Sequence, residues 1–363
     1  MESYDIAIIG AGPAGATLAR LVGQKYKVLL IDKRKMDTPY QPGDVHKCCG
    51  GLLAPDAQKL LARLGLGVPQ HTLVGQQLFM VRTIDLQNSQ ERFYQRHYLN
   101  LDRENFDRWL ISLIPEQVER CFGYYFKSLE PTKQGYLLNF AKQAEEFSAQ
   151  AKVIIGADGA ASRLRKCYFP NRPFPKTYIS IQEWFDVPED LPYLSAIFDE
   201  EITDFYAWTI SKDNYLIIGA ALEPGKQATS KFELLKTKLK NYGFKFGTPI
   251  KKEGAMLMRP QSTKEICLGQ EGIALIGEAA GWISPSSAEG ISYAFNSAYL
   301  LAQSLNHNLE MFLSGYYRAT ASMRRNIILK NLKSPFMYNP WLRKLVMNSG
   351  VESLKVSRPE LLK

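Results

Sequence analysis

No run of apolar residues in this sequence approaches the roughly 20 needed to cross a bilayer, so no membrane span is read from it. The start of the chain also lacks the Lys or Arg that opens a secretory peptide. Glu2 and Asp5 stand there instead, and a glycine-rich turn interrupts the apolar stretch. Internal repeats and low-complexity tracts are absent. Cysteine is sparse and odd in number, five in 363 residues at irregular spacing, which excludes a disulfide framework and fits free thiols in a reducing cytoplasm. Cys121, Cys167 and Cys267 are expected as buried packing. Acidic residues fall short of basic ones, 36 against 45, leaving a formal charge of +9. Such a surface favours acidic partners, whether anionic lipid, an acidic electron carrier or nucleic acid, and composition alone does not choose. With 45% hydrophobic residues, the chain can bury one large domain or two intergrown ones.

What is present starts at residue 4. Tyr4 to Ile9 reads as a short buried strand. Gly10-Ala11-Gly12-Pro13-Ala14-Gly15 follows at once, then a helix over Ala16 to Val22, then a second apolar strand, Val28 to Ile31, ending in Asp32 and Lys33. This is the context a dinucleotide-binding turn requires. Gly10 permits the tight turn, Gly12 lets the backbone approach a pyrophosphate, and Gly15 lets the helix pack on the strand. Phosphate belongs at the helix N-terminus, where unpaired N–H groups and the positive dipole end converge. Asp32 is placed to accept from ribose hydroxyls. These residues alone leave open which dinucleotide binds.

The same device recurs twice. Lys152 to Gly159 is a buried strand ending in Gly156-Ala157-Asp158-Gly159, and Gly272 to Gly281 delivers Gly277-Glu278-Ala279-Ala280 at another strand end. Pro285 comes next, then Gly290-Ile291 opening an apolar helix from Ser292 to Leu301. Three such corners, near residues 10, 158 and 278, resemble the hydroxylase-like flavoprotein superfamily. The resemblance implies FAD, its ADP half at the first corner, its adenosine region near the second and its ribitol near the third, with Glu278 where the superfamily usually has aspartate. A reduced flavin is anionic, so the helix N-terminus at Gly290-Ile291 is expected to face that charge. The segment from Asp102 to Leu110 begins a helix at a good cap residue. It resembles the superfamily's Arg-x-x-Phe-Asp segment, whose arginine, Arg103 here, approaches the flavin. An exposed arginine on a first turn opposes the helix dipole, so a negative ligand near Arg103 is expected.

His46-Lys47-Cys48-Cys49-Gly50-Gly51 precedes a short helix from Pro55. This core resembles the geranylgeranyl reductase family, which hydrogenates carbon–carbon double bonds of isoprenoid lipids, and Cys49 aligns with its motif cysteine. Together with Gly277-Glu278-Ala279-Ala280-Gly281 and the segment from Glu289 to Ala294, it is similar to the CbrA-type bacterial oxidoreductases placed near that family. The resemblance covers nearly the whole chain. No metal is expected, because adjacent cysteines do not readily share one tetrahedral ion and no second ligand pair exists. Tyr206, Trp208 and Ile210 alternate along Phe205–Ile210 and share one face of a strand. In the reductase family a Tyr-x-Trp-x-Phe-Pro strand lines the cavity for the apolar chain; Ile210-Ser211 replaces Phe-Pro here. Flavin halogenases have a comparable strand, but no lysine in their catalytic arrangement is identifiable.

The expected fold is α/β: a glutathione-reductase-type FAD-binding Rossmann domain (1–75, 100–167 and 264–310) with an inserted, mostly antiparallel substrate domain (76–99 and 168–263). Its strands are read at Gln77–Ile84, Tyr178–Phe185, Leu194–Phe198, Phe205–Ile210, Tyr215–Ala221 and Ala255–Met258. C-terminal helices follow over 311–363, with basic amphipathic segments Met323–Lys333 and Trp341–Met347 that either lie on anionic membrane or cover the FAD domain. The implied function is reduction of a double bond in an isoprenoid or other apolar substrate, with Cys49, Tyr206 and Trp208 as catalytic candidates and Cys49, Tyr206 or water as proton source. A monooxygenase on a small aromatic or lipid-like substrate, and a flavin-binding sensor or membrane-associated partner, are the alternatives. No second glycine-rich unit exists for a stably bound NAD(P)H, so electrons are expected from transiently docked NAD(P)H or from a ferredoxin. A cytoplasmic protein, possible contact with membrane and no nucleic-acid partner complete the expectation.

Overall fold

The computed structural model describes residues 2–41, 43–187 and 191–356. It is built on two sheets. In the first, strands Ser3–Ile9, Val28–Asp32, Glu119–Phe122, Glu145–Gly156 and Ile273–Leu275 run parallel, in the order Ile273–Leu275, Glu145–Gly156, Ser3–Ile9, Val28–Asp32, Glu119–Phe122. Ile6–Ile9, Val28–Ile31, Val153–Ile155 and Ile273–Leu275 are apolar and buried because helices cover the sheet there, whereas Glu119–Phe122 and the first part of Glu145–Gly156 carry exposed polar residues. Pro13–Val22 and Ile291–His307 pack against each other there, contributing Leu18, Val22, Phe295 and Leu301 to one continuous core. An antiparallel hairpin, Tyr125–Thr132 and Gly135–Lys142, extends the long strand Glu145–Gly156.

The second sheet is mostly antiparallel and contains Leu78–Asp85, Gln90–Asn100, Lys176–Asp186, Tyr193–Phe198, Ala207–Lys212, Tyr215–Leu222 and Pro249–Arg259. The expected strands are present with ends shifted by a few residues, except that Pro249–Arg259 begins well before Ala255. Tyr206 lies just before its strand. One pairing departs from the antiparallel pattern: Tyr193–Phe198 runs parallel to Leu78–Asp85. The helix Ala228–Tyr242 covers the outer face through Phe232, Leu235 and Leu239. Three helices, Phe312–Ala319, Ala321–Tyr338 and Pro340–Ser349, follow the Rossmann part. Among the described residues no helix is long and apolar enough to cross a membrane.

All five cysteines are free. Cys267 is buried as expected. Cys121 is only partly buried and Cys167 is exposed, because it falls on the outer side of the short helix Arg163–Tyr168, whose buried positions are Leu164 and Arg165.

Candidate functional site

The parallel order places three turns side by side at the carboxyl edge of adjacent strands, which is where such sheets receive ligands. Gly10 N–H donates to Ile31 O at 2.7 Å, Ala157 N–H to Ile9 O at 2.8 Å, and Ile276 N–H to Gly156 O at 2.9 Å. The spacing admits only glycine at two points. Gly10 has φ +105° and a Cβ there would lie 2.4 Å from Ala157 O; a Cβ on Gly15 would lie 1.8 Å from Gly10 O. Gly12 differs: a Cβ there would meet no protein atom within 4 Å. Pro13 opens the helix behind it, where a missing N–H costs nothing, and Gly277 approaches Ala14.

Asp32 is buried at the end of its strand. Its Oδ2 accepts from Ala11 N–H at 2.6 Å and from Arg34 Nη2 at 3.2 Å; its Oδ1 accepts from Arg34 N–H at 2.8 Å and Arg34 Nε at 3.2 Å. The carboxylate thus spends itself on the glycine turn and on Arg34, and a ribose hydroxyl would have to share it. Lys33 is exposed. Asp158 Oδ2 accepts from Arg163 and Leu164 N–H at 2.9 and 3.3 Å, while Oδ1 is buried without a partner among the described residues. Burial pushes the Asp158 carboxyl up. Gly159 follows with φ +75°. Glu278 Oε1 accepts from Met258 N–H at 3.1 Å and Oε2 lies 3.8 Å from Lys47 Nζ, so this corner touches both the second sheet and the cysteine loop. Arg165, fully buried, holds Ala279 O at 3.2 Å and Glu265 O at 2.6 Å.

Gly290 is the N-cap of Ile291–His307, and no side chain caps that helix. Its first-turn N–H groups have no intrahelical partner. Open space at Gly12, an orphaned Asp158 oxygen and an uncapped helix end are three independent features that suit a dinucleotide carrying a negatively charged ring.

Arg103 is not exposed. Its side chain is folded inward, Nε donating to Asp107 Oδ1 at 2.8 Å, and Arg34 Nη1 reaches Asp107 Oδ2 at 2.7 Å. The expectation of an exposed first-turn arginine fails because Asp107, one helical turn on, provides an internal counter-charge. Asp102 caps the helix by accepting from Asn105 N–H at 2.9 Å. Beside Arg103 lies Cys49. Burial pushes this thiol up, but the charge of Arg103 and the Gly51 N–H, 3.4 Å from Sγ, outweigh it and hold the group below the usual thiol range. Its neighbour behaves oppositely: burial, with Glu253 nearby, pushes Cys48 up to about 12.

The cysteine loop rests on the strand Ala207–Lys212. A Cβ on Gly50 would lie 2.6 Å from Ile210 Cδ1, and one on Gly51, at φ +63°, would lie 2.4 Å from Leu101 O and 2.7 Å from Lys212 Nζ. Gln182 Nε2 donates to Cys48 Sγ at 3.1 Å, and His46 bonds Glu253, so the second sheet grips the loop from its other strands too. Tyr206 hydroxyl donates to Ser287 O at 2.7 Å, and burial pushes its pKa up. Trp208 stacks across Gly219, and its indole N–H is buried with no partner among the described residues.

The chain matches no family model. Over 353 residues it is 41% identical to protein CbrA of Escherichia coli O9:H4 (strain HS), covering 97% of this chain and 94% of that one. The chain belongs to the CbrA family. Two solved structures share its fold. One is a geranylgeranyl bacteriochlorophyll reductase-like protein from Thermoplasma acidophilum (TM-score 0.79, 19% identity, 98% of this chain and 93% of that one). The other is PqsL of Pseudomonas aeruginosa, described as a probable FAD-dependent monooxygenase (TM-score 0.68, 16% identity, 96% and 100%). The fold of this CbrA-family chain is therefore that of the FAD-binding Rossmann flavoproteins.

Four charged residues at the site of this CbrA member were given no role from sequence. Arg34 and Asp107 join the first corner to Arg103; a basic residue two places after Asp32 and an acid four places after Arg103 were the available signals. Arg165 gave none, being one of several cations on a short helix. Lys212 is the fourth. It continues the alternation of Tyr206, Trp208 and Ile210, so the period-two pattern already put it on the same face. It is buried, donates to Asn100 Oδ1 and Leu101 O at 2.7 Å, and burial lowers it to about 8.

Proposed function

We propose that this CbrA-family protein is an FAD-dependent reductase that saturates a carbon–carbon double bond of an isoprenoid or similarly apolar substrate. The observation that carries the reading is the seating of the Cys49-Gly50-Gly51 loop on the aromatic strand, with Lys47 near the Glu278 corner and Arg103 against the thiol. The flavin domain would comprise 1–75, 100–167 and 264–310, and the substrate domain 76–99 and 168–263. Gly10, Gly12, Pro13, Ala14 and Gly15 would receive the pyrophosphate, and Asp32 and Lys33 the adenosine side. Asp158 and Gly159 would support the middle of the cofactor, Gly277, Glu278 and Ala279 the ribitol. Gly290 and Ile291 would face the negative edge of the ring, and Arg103 with Cys49, Gly50 and Gly51 its surroundings. When bound, FAD would supply a hydride to one alkene carbon.

The other carbon needs a proton, and Cys49 is placed to hold it. A thiol that gives up its proton beside Arg103 leaves a thiolate already paired with a cation. Tyr206 is the weaker donor, since its hydroxyl is committed to Ser287 O. Tyr206, Trp208 and Ile210 would exclude water and align the apolar chain. Electrons would come from NAD(P)H docking transiently or from an acidic carrier such as a ferredoxin, which the formal charge of +9 favours. The test is anaerobic reduction of the purified protein followed by a polyprenyl lipid. Prompt return of the oxidised flavin spectrum with a product two hydrogens heavier is expected; a flavin that stays reduced with every alkene offered overturns the proposal.

A further inference from the structure

The stretch from Met311 to Val351 contains seven Lys and Arg and no Asp or Glu, so its formal charge is +7 where the whole chain nets +9. An ordinary solvated surface intersperses both signs. The same stretch concentrates exposed apolar side chains: eleven of the twenty large hydrophobic residues exposed among the described residues lie between Met311 and Val351.

Their placement follows helix geometry. On Ala321–Tyr338 the inward positions are Met323, Ile327 and Ser334, with Lys330 also turned in to Ser284 Oγ at 3.2 Å. Ile328, Leu329, Leu332 and Phe336 fall on the opposite arc at spacings of three and four, and Leu329, Leu332 and Phe336 are 57%, 66% and 51% exposed. Arg325 and Lys333 share that arc and are exposed. On Pro340–Ser349, Arg343 and Met347 point inward, Arg343 binding Asp85 Oδ2 at 2.7 Å, and Trp341 (66% exposed), Lys344 and Leu345 point out. An apolar stripe with an indole, bordered by cations and free of carboxylates, is the composition of a helix that lies in the headgroup region of an anionic bilayer. A protein partner recognised by a similar apolar stripe would not by itself require a segment without a single acid.

We propose that the outer faces of Ala321–Tyr338 and Pro340–Ser349 dock on an anionic lipid bilayer, the apolar residues entering the interface and Arg325, Lys333 and Lys344 meeting lipid phosphates. The inner face of the same helix reaches the candidate site: Tyr338 hydroxyl donates to Ser286 O at 2.7 Å and its ring lies 5.3 Å from that of Phe205. Docking therefore sets the bilayer about one helix diameter, roughly 10 Å, from the loop that leads into Gly290. The proposal stands apart from the reaction, since an apolar substrate reaching the site from solution would leave the docking face unchanged.

The experiment is co-sedimentation of the flavin-loaded full chain with vesicles of phosphatidylcholine alone or mixed with phosphatidylglycerol, together with its solution mass. Binding to the mixed vesicles should exceed binding to the neutral ones by roughly tenfold or more, and should weaken with salt. The double variant Leu332→Glu, Phe336→Glu should fall to the neutral-vesicle level while keeping its flavin absorbance and its monomer mass; Lys333→Glu, Lys344→Glu should lose most of the anionic preference. Equal binding to both vesicle types, or none to either, overturns the proposal. So does a dimer that reverts to monomer in Leu332→Glu, because a second copy would then be what covers the face.

Discussion

Arg34 Nη1 lies 2.7 Å from Asp107 Oδ2, and this contact joins Asp32 at the end of a Rossmann strand to Arg103 beside the cysteine loop. Four charged groups thus run in alternation, Asp32, Arg34, Asp107, Arg103, and end at the Cys49 thiol. The middle pair is almost wholly withdrawn from water. Its effect is to tie the position of a thiol to the position of a dinucleotide turn across two elements that share no backbone pairing.

Removing Asp107 should therefore be costly. Asp107→Asn leaves two buried guanidinium groups facing one amide, and a loss of ~3 kcal/mol or more is expected, read as a lower denaturation midpoint. Burial pushes the Asp107 carboxyl up, but Arg103 and Arg34 outweigh it and the group lies below the usual carboxylate range. A depressed acid stabilises the fold above its unfolded pKa of ~3.9 and loses that contribution as pH falls through the folded value. Thermal scans should show the wild-type advantage over Asp107→Asn shrinking below about pH 4. A constant difference across the acid range would speak against the pair.

Gly12 should separate folding from cofactor binding. A methyl there meets no protein atom, and its φ of −70° with ψ of −175° suits any residue. Gly12→Ala should cost the apoprotein less than ~1 kcal/mol. It should nonetheless weaken FAD retention about tenfold or more, the affinity equivalent of the ~1–3 kcal/mol that overpacking costs. Gly10→Ala, in contrast, should destabilise the apoprotein itself, because its methyl would press on Ala157 O. Equal apoprotein melting for both variants would contradict this distinction.

Lys212 should leave a signature on the alkaline side. Burial lowers it to about 8, against an unfolded value of ~10.4. Between these values the unfolded chain binds more protons than the folded one, so this residue makes stability rise with pH across that window. Lys212→Met should remove that slope, by an amount on the order of 3 kcal/mol over the full window. Denaturant midpoints from pH 7.5 to about 9.5, below the tyrosine range, compare the two proteins. Parallel curves would show that Lys212 titrates normally.

Cys49 should be the thiol most responsive to Arg103. Alkylation followed site by site with mass spectrometry should give Cys49 a rate–pH midpoint below the usual thiol value of ~8.5. Arg103→Met should slow modification of Cys49 near neutral pH by about tenfold for each pKa unit regained, leaving Cys167 unchanged. If both cysteines slow together, or neither does, the pairing with Arg103 has no chemical consequence.

Much of the architecture was legible because its signals are local. The turn Gly10–Gly15 between two apolar strands, the cap at Asp102, the small-residue corners at Asp158 and Glu278, and period-two alternation in the second sheet each occupy fewer than about a dozen residues. Strand ends moved by a few residues because they are set by the neighbouring strand, not by the strand's own composition. The parallel pairing of Tyr193–Phe198 with Leu78–Asp85 joins segments more than a hundred residues apart, and no turn signal announces it.

By itself the sequence determined that three acid-tipped corners exist, that the chain folds as an α/β flavoprotein, and that a Cys-Gly-Gly loop and an aromatic strand are available. Only the tertiary structure decided that Arg103 turns inward to Asp107, that Asp32 is occupied by Arg34, that Lys212 is buried beneath Gly51, and that the apolar stripe of the last helices stays uncovered among the described residues. The reason is range. Glycine turns, caps and alternation express the conformational preferences of adjacent residues, whereas the pairing or burial of a charge depends on which distant element arrives beside it, and only the closed fold brings those elements within reach.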